Sequence, residues 1–268
     1  MSTGKFFAFS SQGCPSDTWR NEELTNPIVD GIIKNKGAES MKQYQFLLFD
    51  ADGTLLDFDR CEEKALRDTL LSFGIPDCQE TLRSYHQINA ALWERFNAGE
   101  IDRPYLLHRR FEQLCEQLGR QDDPALMNRY YMEQLSRHAD LLEEAEKICN
   151  ILYKKYKLYI ITNGSSLTQH GRFAICPLTP LFQNIFISED MGVKKPQKAY
   201  FDAVAAAIPG FDPQRALVIG DSLSSDILGA NHAGWDCCWY NPQALPNFSD
   251  AHCTYEIRRL RNLLEILP

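Results

Sequence analysis

The fold is decided by the stretch Phe46-Leu-Leu-Phe-Asp-Ala-Asp-Gly-Thr54, in which a short apolar run passes directly into two carboxylates and a turn. An apolar run of this length without polar alternation is typical of a strand buried on both faces of a parallel sheet. Similar runs follow at Leu158–Ile161, Ile185–Ile187 and Ala216–Ile219, with a weaker one at Cys237–Tyr240. Because helical patterns separate most of these runs, we predict an α/β fold with a mainly parallel sheet.

A long helical region separates the first predicted strand from the second. Between Asp57 and about Ala145, apolar residues recur at helical spacing, as at Leu66, Leu70 and Phe73. A region of this length is too long for a simple crossover between neighbouring strands. We therefore predict a Rossmann-like core, residues 41–56 and 146–268, with an all-helical cap domain inserted at residues 57–145.

The first forty residues differ from the rest of the chain. Residues 1–40 hold scattered Gly, Pro, Ser and charged residues without a sustained period. The apolar run Phe6-Phe-Ala-Phe9 is too short for a secretory signal. We predict that residues 1–40 are a poorly ordered N-terminal extension.

The composition is that of an ordinary globular protein, and it excludes several partners. Lys and Arg number 28 against 36 Asp and Glu, and the resulting net charge of −8 repels polyanions. The apolar stretches are far shorter than the roughly 20 residues that cross a bilayer. We therefore expect neither a nucleic-acid polymer nor a membrane as partner. Nine cysteines without Cys-x-x-Cys spacing indicate no disulfide framework or zinc site, and they favour a cytoplasmic location.

Polar residues follow three of the predicted strands, at the edge where an open parallel sheet binds its ligands. They are Asp50 and Asp52 after the first strand, Thr162-Asn163-Gly164 after the second, and Asp221 and Asp226 after the fourth. The four carboxylates would repel one another unless a divalent cation lay among them, and hard oxygen ligands suit Mg²⁺. Lys195, the Thr162 hydroxyl and nearby backbone N–H groups offer partners to an anion. The pattern therefore predicts a magnesium site that handles a phosphoryl group.

Four motifs, taken in order, resemble those of the haloacid dehalogenase-like (HAD) hydrolase superfamily. They are Asp50-x-Asp52-Gly-Thr-Leu, a hydrophobic strand ending in Thr162-Asn-Gly, Gly192-Val-x-Lys195-Pro, and Gly220-Asp221-Ser-x-x-x-Asp226. The resemblance covers residues 41–268. The helical region after the first motif resembles the superfamily's helical cap, which closes over the substrate.

The resemblance implies a role for each motif residue. Asp50 is expected to be a nucleophile that forms an aspartyl-phosphate, and Asp52 a general acid and then a general base. Thr162, Asn163 and Lys195 are expected to bind the phosphate group. Asp50, Asp52 and Asp221 are expected around the magnesium ion, with Asp226 supporting it from behind its direct ligands. Such an enzyme splits the hydrolysis of a phosphate monoester into two displacements.

A narrower resemblance is to the pyrimidine 5′-nucleotidases, house-cleaning phosphatases of nucleoside monophosphates. It rests on Ile88-Asn-x-x-Leu92-Trp93 and Arg110-Phe111 in the cap, and on Ser188-Glu-Asp-x-Gly192 in the core. The resemblance implies a nucleoside monophosphate as substrate, with deoxyuridine and thymidine monophosphates as leading candidates. Stacking by Phe58 and Trp93 and a polar contact from Arg110 would suit such a substrate.

Each of these cap residues also has a purely structural interpretation. Trp93 shares the apolar side of a helix with Leu92 and Phe96, which favours packing within the cap. Arg110 could simply bridge two cap helices. Phe58 directly follows the Asp57 turn, where the cap joins the core, and is the stronger candidate for touching a substrate.

One segment departs from the superfamily's pattern. In Arg172-Phe-Ala-Ile-Cys-Pro-Leu-Thr-Pro180, the prolines at 177 and 180 predict an early end to the helix that follows Thr162-Asn-Gly. Because the segment is remote from the motif residues in sequence, we expect it to alter local geometry more than chemistry.

Other functions fit parts of the same pattern. A sugar-phosphate or phosphoglycolate phosphatase and a phosphomutase would use the same four motifs. A dehalogenase is disfavoured by Asp52, because a leaving halide needs no proton. A non-enzymatic phospho-switch also gathers Asp, Thr or Ser, and Lys at strand ends, but it would lack the helical insert and the second acid.

Overall fold

The computed structural model describes strand residues 32–34 and residues 42–97 and 99–267. Within these residues, seven strands form one sheet: β1 (Ile32–Lys34), β2 (Phe46–Phe49), β3 (Lys157–Thr162), β4 (Phe182–Ile187), β5 (Ala216–Gly220), β6 (Asp236–Tyr240) and β7 (Tyr255–Ile257). Their order across the sheet is β1-β7-β6-β5-β2-β3-β4. Strands β2 to β7 are parallel, and β1 pairs antiparallel with β7 at the edge.

Strand β2 lies at the centre of the parallel part of the sheet. Its last residue, Phe49, pairs with Ile160 of β3 on one side and with Ile219 of β5 on the other. The chain therefore leaves β2, β3 and β5 at the same edge of the sheet. The residues that follow these three strands meet there, as the motif spacing predicts.

Both faces of the sheet are covered, because alternate residues of β2 point into two different cores. Leu47 and Phe49 belong to the core under α5 (Ala145–Leu152), α6 (Ser166–Ile175) and α10 (Leu263–Ile266). Phe46 and Leu48 belong to the core under α8 (Lys198–Ala207) and α9 (Leu228–Ala233), with the short α7 (Ser188–Met191) at its margin. The continuous apolar runs of the sequence correspond to strands that are buried on both sides.

Four helices lie between β2 and β3 and enclose a third core: α1 (Phe58–Ser72), α2 (Gln79–Asn97), α3 (Arg103–Gln117) and α4 (Pro124–Leu135). The side chains of Asp57, Asp102 and Asp123 accept hydrogen bonds from backbone N–H groups in the first turns of α1, α3 and α4. Leu66, Leu70 and other periodic apolar residues fill this core. The predicted α/β fold with an inserted helical cap is confirmed, while the domain limits at residues 57 and 145 stay a prediction.

The strands predicted from apolar runs are present, including the weaker one that became β6. Strands β1 and β7 were missed, because each has only three residues. Strand β1 lies within the predicted extension; residues 1–31 and 35–41 lie outside the described residues, and so the expected poor order there is untested. Within the described residues, no helix is long and apolar enough to cross a membrane.

Candidate active site

The loop after β2 brings Asp50 to the centre of the sheet edge. The Asp50 N–H donates to the Ile219 carbonyl at 2.8 Å, which continues the pairing of β2 with β5 beyond the last strand residue. Gly53 then turns the chain with φ +80, and a Cβ there would lie 2.6 Å from Asp221 Oδ2. Glycine is therefore required both for the backbone conformation and for the close approach of Asp221.

Three carboxylates meet at this edge. One oxygen from each of Asp50, Asp221 and Asp226 lies within 4.8 Å of the other two. Asp226 is carried by one turn of π-helix, Leu223–Ile227, and its Oδ2 accepts a 3.2 Å hydrogen bond from the Ser222 N–H. Gly220 makes room for it, since a Cβ there would lie 2.6 Å from Asp226 Cβ.

Lys195 is the buried cation of this centre. Its Nζ donates to Asp50 Oδ1 at 2.5 Å, to Asp226 Oδ1 at 2.6 Å and to the Ile161 carbonyl at 2.9 Å. Burial acts to lower the pKa of Lys195, but Asp226 and Asp50 outweigh it and raise that pKa above its ordinary value. The ammonium group therefore stays charged and holds the two carboxylates together.

The carboxylates carry more negative charge than Lys195 balances. Burial raises the pKa of Asp50 well above its usual range, and the Lys195 ammonium opposes the shift. The Asp221 side chain is exposed to the cleft, but the surrounding protein still excludes part of its water. This desolvation raises the pKa of Asp221 to about 6, and the charge of Asp226 adds to the rise. Because three carboxylates crowd around one ammonium group, a further positive charge would be stabilised here. Hard oxygen donors in this arrangement fit Mg²⁺.

Thr162 and Asn163 follow β3, as predicted. Thr162 Oγ1 accepts from the Gly164 N–H at 3.0 Å and from Gln169 Nε2 at 2.8 Å. The Asn163 side chain pairs with the backbone of Lys195, accepting from its N–H and donating to its carbonyl, both at 2.9 Å. The Asn163 side chain thus positions Lys195, and its predicted contact with phosphate now depends on its backbone N–H.

Asp52 stands apart from the carboxylate cluster. Its Oδ1 accepts from Arg172 Nη1, and its Oδ2 accepts from Gln169 Nε2 at 2.8 Å. It is not one of the three carboxylates whose oxygens lie within 4.8 Å of one another, although it lines the same cavity as Asp50, Asp221 and Asp226. Its two oxygens are held instead by donors from α6.

The segment 172–180 is remote from the motif residues in sequence, but the structure brings Arg172 into contact with Asp52. Helix α6 does end at Ile175, two residues before Pro177, as the prolines predict. Arg172 lies in its last turn, however, and is fully buried between Asp52 and the His138 carbonyl, to which its Nε donates at 3.0 Å. Gln169 and Arg172 are three residues apart on one helix face, which is why both reach the same carboxylate.

The predicted cap residues line one cavity together with residues of the carboxylate cluster. This cavity of about 300 Å³ is bounded by Asp50 and Lys195 in the core and by Phe58, Trp93 and Arg110 in the cap. Trp93 also packs edge-on against Phe96, with ring centroids 5.4 Å apart, so it serves the cap core and the cavity wall together. Phe58 faces the Arg172 guanidinium at 6.0 Å.

Glu62 also lines the cavity, although it was not among the residues predicted from the sequence. Glu62 is buried at 6 % exposure and faces the cavity from α1. Burial raises its pKa, against the opposing effects of His86, Tyr131 and Arg110. The sequence does carry a signal for it, because Glu62 lies on the same face of α1 as Leu66 and Leu70, whereas Glu63 does not.

Comparisons with known proteins agree with this geometry. The profile of the haloacid dehalogenase-like hydrolases matches residues 44–234. The chain is 41 % identical to the HAD-hydrolase YfnB of Bacillus subtilis, covering 85 % of this chain and 97 % of YfnB. The crystal structure of YfnB bound to magnesium superposes with a TM-score of 0.81, covering 84 % of this chain and 99 % of that one.

Two further relatives have named activities. The chain is 38 % identical to the pyrimidine 5′-nucleotidase PynA of Streptococcus pneumoniae, covering 84 % of this chain and 95 % of PynA. It is 31 % identical to the pyrimidine 5′-nucleotidase YjjG of Escherichia coli, covering 84 % of this chain and 98 % of YjjG. The similarity therefore extends over the sheet and the helical insert together.

Proposed function

This chain belongs to the haloacid dehalogenase-like hydrolase family and is a phosphoric monoester hydrolase, and we propose that its substrates are nucleoside 5′-monophosphates, with a preference for pyrimidine nucleotides. The observation that carries the proposal is the single cavity that joins Asp50 and Lys195 to the aromatic and polar residues of the cap. The names of PynA and YjjG, whose similarity spans both domains, support it.

Mg²⁺ is the cofactor of the proposed reaction. Asp50 and Asp221 would hold the ion, with Asp226 supporting it, since these three carboxylates converge on one point. When bound, the ion would neutralise the phosphoryl oxygens and the surrounding carboxylates. The binding of magnesium by YfnB supports this assignment.

In the proposed first step, Asp50 attacks phosphorus. A bond forms between a carboxylate oxygen and phosphorus, the bond from phosphorus to the nucleoside 5′-oxygen breaks, and the leaving oxygen takes a proton from Asp52. Lys195 and the Thr162 hydroxyl hold the phosphoryl oxygens through these displacements. In the second step, water gives its proton to Asp52 and cleaves the aspartyl-phosphate, releasing phosphate and restoring Asp50.

The bonds of Asp52 set a condition on this mechanism. Both of its oxygens accept hydrogen bonds from α6 in the structure. To protonate the leaving oxygen, Asp52 must exchange at least one of these bonds. Gln169 is the weaker partner because it is neutral, and its Nε2 has a second acceptor in Thr162 Oγ1, so we expect that bond to be exchanged.

The proposed preference is tested by comparing kcat/KM across phosphate esters at saturating Mg²⁺. Stacking contributes about 1–3 kcal/mol per base, so deoxyuridine and thymidine monophosphates should exceed phosphoglycolate and glucose phosphates by about ten- to a hundredfold. If the non-nucleotide esters react as well or better, the nucleotidase proposal is wrong. Isomerisation of a sugar phosphate without release of phosphate would indicate the phosphomutase alternative.

A further inference from the structure

The cap wall of the cavity holds a buried carboxylate with one unused oxygen. Glu62 Oε1 accepts two hydrogen bonds, from Asn89 Nδ2 and from the Tyr131 hydroxyl, each at 3.1 Å. Among the described residues, the basic group closest to Oε2 is the His86 imidazole, whose Nδ1 is 3.6 Å away, beyond hydrogen-bond distance. Glu62 therefore keeps one acceptor free while it lines the cavity.

The same wall holds a buried arginine with an unused donor. Arg110 is 3 % exposed and lines the cavity from α3. Its Nη2 donates to Asn128 Oδ1 at 2.7 Å, and its guanidinium lies 4.5 Å from the centre of the Tyr131 ring. Its Nε is fully enclosed, but its Nη1 is not and makes no hydrogen bond to the described residues. Arg110 can therefore donate from Nη1 to a ligand in the cavity that it lines.

Together these groups specify the chemistry of a ligand. An unused acceptor and an unused donor in one cavity require a ligand that offers an N–H beside a carbonyl. Trp93, Leu107 and Met132 line the same cavity, and such apolar walls favour a flat ring over a sugar. A phosphate group is unsuited to this end of the cavity, because the Glu62 carboxylate would repel it.

We propose that Glu62 and Arg110 recognise the imide edge of a uracil or thymine base: Glu62 Oε2 accepts from the ring N3–H, and Arg110 Nη1 donates to a neighbouring carbonyl oxygen. This inference rests on the proposed nucleotidase function and names the residues that give it base specificity. Glu62 and Arg110 act here as specificity-determining residues.

The substitution Glu62→Gln tests this geometry with little change of shape. Because the Asn89 amide and the Tyr131 hydroxyl both donate to Oε1 in the structure, the glutamine keeps both hydrogen bonds only with its oxygen at that position. The glutamine NH₂ group then replaces Oε2 and presents a donor to the cavity. It would oppose the N3–H of thymine but suit the N3 acceptor of cytosine.

The experiment measures kcat/KM of the full-length enzyme with Mg²⁺ on four esters: thymidine monophosphate, its N3-methyl derivative, deoxycytidine monophosphate and p-nitrophenyl phosphate. The wild type should prefer thymidine monophosphate to the N3-methyl derivative by about ten- to a hundredfold. Glu62→Gln should abolish that preference and lower the ratio of thymidine to deoxycytidine monophosphate by a similar factor. Activity on p-nitrophenyl phosphate, which has no base, should change less than threefold.

Glu63→Gln is the matched control. Glu63 is the next residue of α1, half exposed and paired with Arg67 on the outer surface, so its amide should leave all four values unchanged. Equal losses of thymidine and deoxycytidine monophosphate in Glu62→Gln would overturn the proposal and leave a structural role. If that variant does not fold, the wild-type enzyme still tests the contact. Equal kcat/KM values on thymidine monophosphate and its N3-methyl derivative would refute it.

The test separates this inference from the function on which it rests. A wild type that hydrolyses glucose phosphates as well as thymidine monophosphate refutes the nucleotidase proposal, and the base contact falls with it. A wild type that prefers nucleotides but is indifferent to N3-methylation refutes only the contact made by Glu62.

Discussion

Replacing Arg172 by methionine should separate the positioning of Asp52 from the rest of the chemistry. The arginine side chain is 1 % exposed, donates to Asp52 Oδ1, and ties α6 to the cap through the His138 carbonyl. Methionine has similar length but no donor. The variant therefore leaves Asp52 with Gln169 as its remaining hydrogen-bond donor and leaves the His138 carbonyl without the arginine.

The expected loss of stability follows from these contacts. A hydrogen bond to a charged group contributes about 1.5–3 kcal/mol, and an orphaned carbonyl adds about 1 kcal/mol. Two effects reduce this sum: Asp52 is 26 % exposed and can regain water, and Arg172 Nη2 already has no hydrogen-bond partner. We expect the free energy of unfolding to fall by about 2 kcal/mol, which lowers Tm by about 4–8 °C.

The activity loss should depend on the leaving group. If Arg172 holds Asp52 in position for proton transfer, kcat on a nucleotide should fall by about ten- to a hundredfold. This loss is part of the roughly 10²–10⁴-fold rate acceleration that general acid–base catalysis supplies. p-Nitrophenyl phosphate barely needs a proton on its leaving oxygen and should lose less than threefold. Arg172→Lys keeps the charge and should recover part of the nucleotide activity.

Thermal unfolding and steady-state kinetics on both substrates provide the measurements. Arg137→Met is the control, because Arg137 is an exposed arginine beside His138 and should change neither Tm nor kcat appreciably. Equal losses on the nucleotide and on p-nitrophenyl phosphate, or no loss on either, would refute the assigned role of Arg172.

Four further outcomes are expected. Asp50→Asn should fold and lose essentially all phosphate release, because an amide cannot attack phosphorus; appreciable turnover would contradict the proposed nucleophile. Asp52→Asn should lose more activity on a nucleotide than on p-nitrophenyl phosphate, and equal losses would remove Asp52 from the acid role. Gly220→Ala places a methyl group 2.6 Å from Asp226 Cβ, so it should cost about 1–3 kcal/mol of stability and raise the Mg²⁺ concentration needed for half-maximal activity. Because the pKa of Asp221 is raised to about 6 in the folded state, the metal-free protein should lose stability as pH rises from about 4 to above 6; Mg²⁺ should therefore raise Tm more at pH 7.5 than at pH 5, and an equal rise at both would count against the carboxylate site.

The sequence was sufficient where neighbouring residues carry both the structure and the chemistry. The apolar run Phe46–Phe49 specifies a strand buried on both faces, and Asp50 follows it directly. Parallel strands bring their carboxyl ends to one edge, so Thr162 and Asp221 could be placed beside Asp50 without any structure. The helical insert could be predicted for the same reason, because its periodicity is local.

Only the tertiary structure decided which partners these residues have. Asp52 was predicted among the metal ligands, yet Arg172, 120 residues away, holds it. Helical spacing places Glu62, unlike Glu63, on the face of α1 that carries Leu66 and Leu70, but only the packing of the cap helices shows that it lines the cavity with Arg110. The backbone pattern of a strand or helix depends on a few neighbouring residues, whereas the partner of a buried charge depends on contacts between distant elements. The residues that meet at the sheet edge could therefore be predicted from the sequence, while the groups that hold Asp52, and the contacts that we propose select the base, became visible only once the chain was folded.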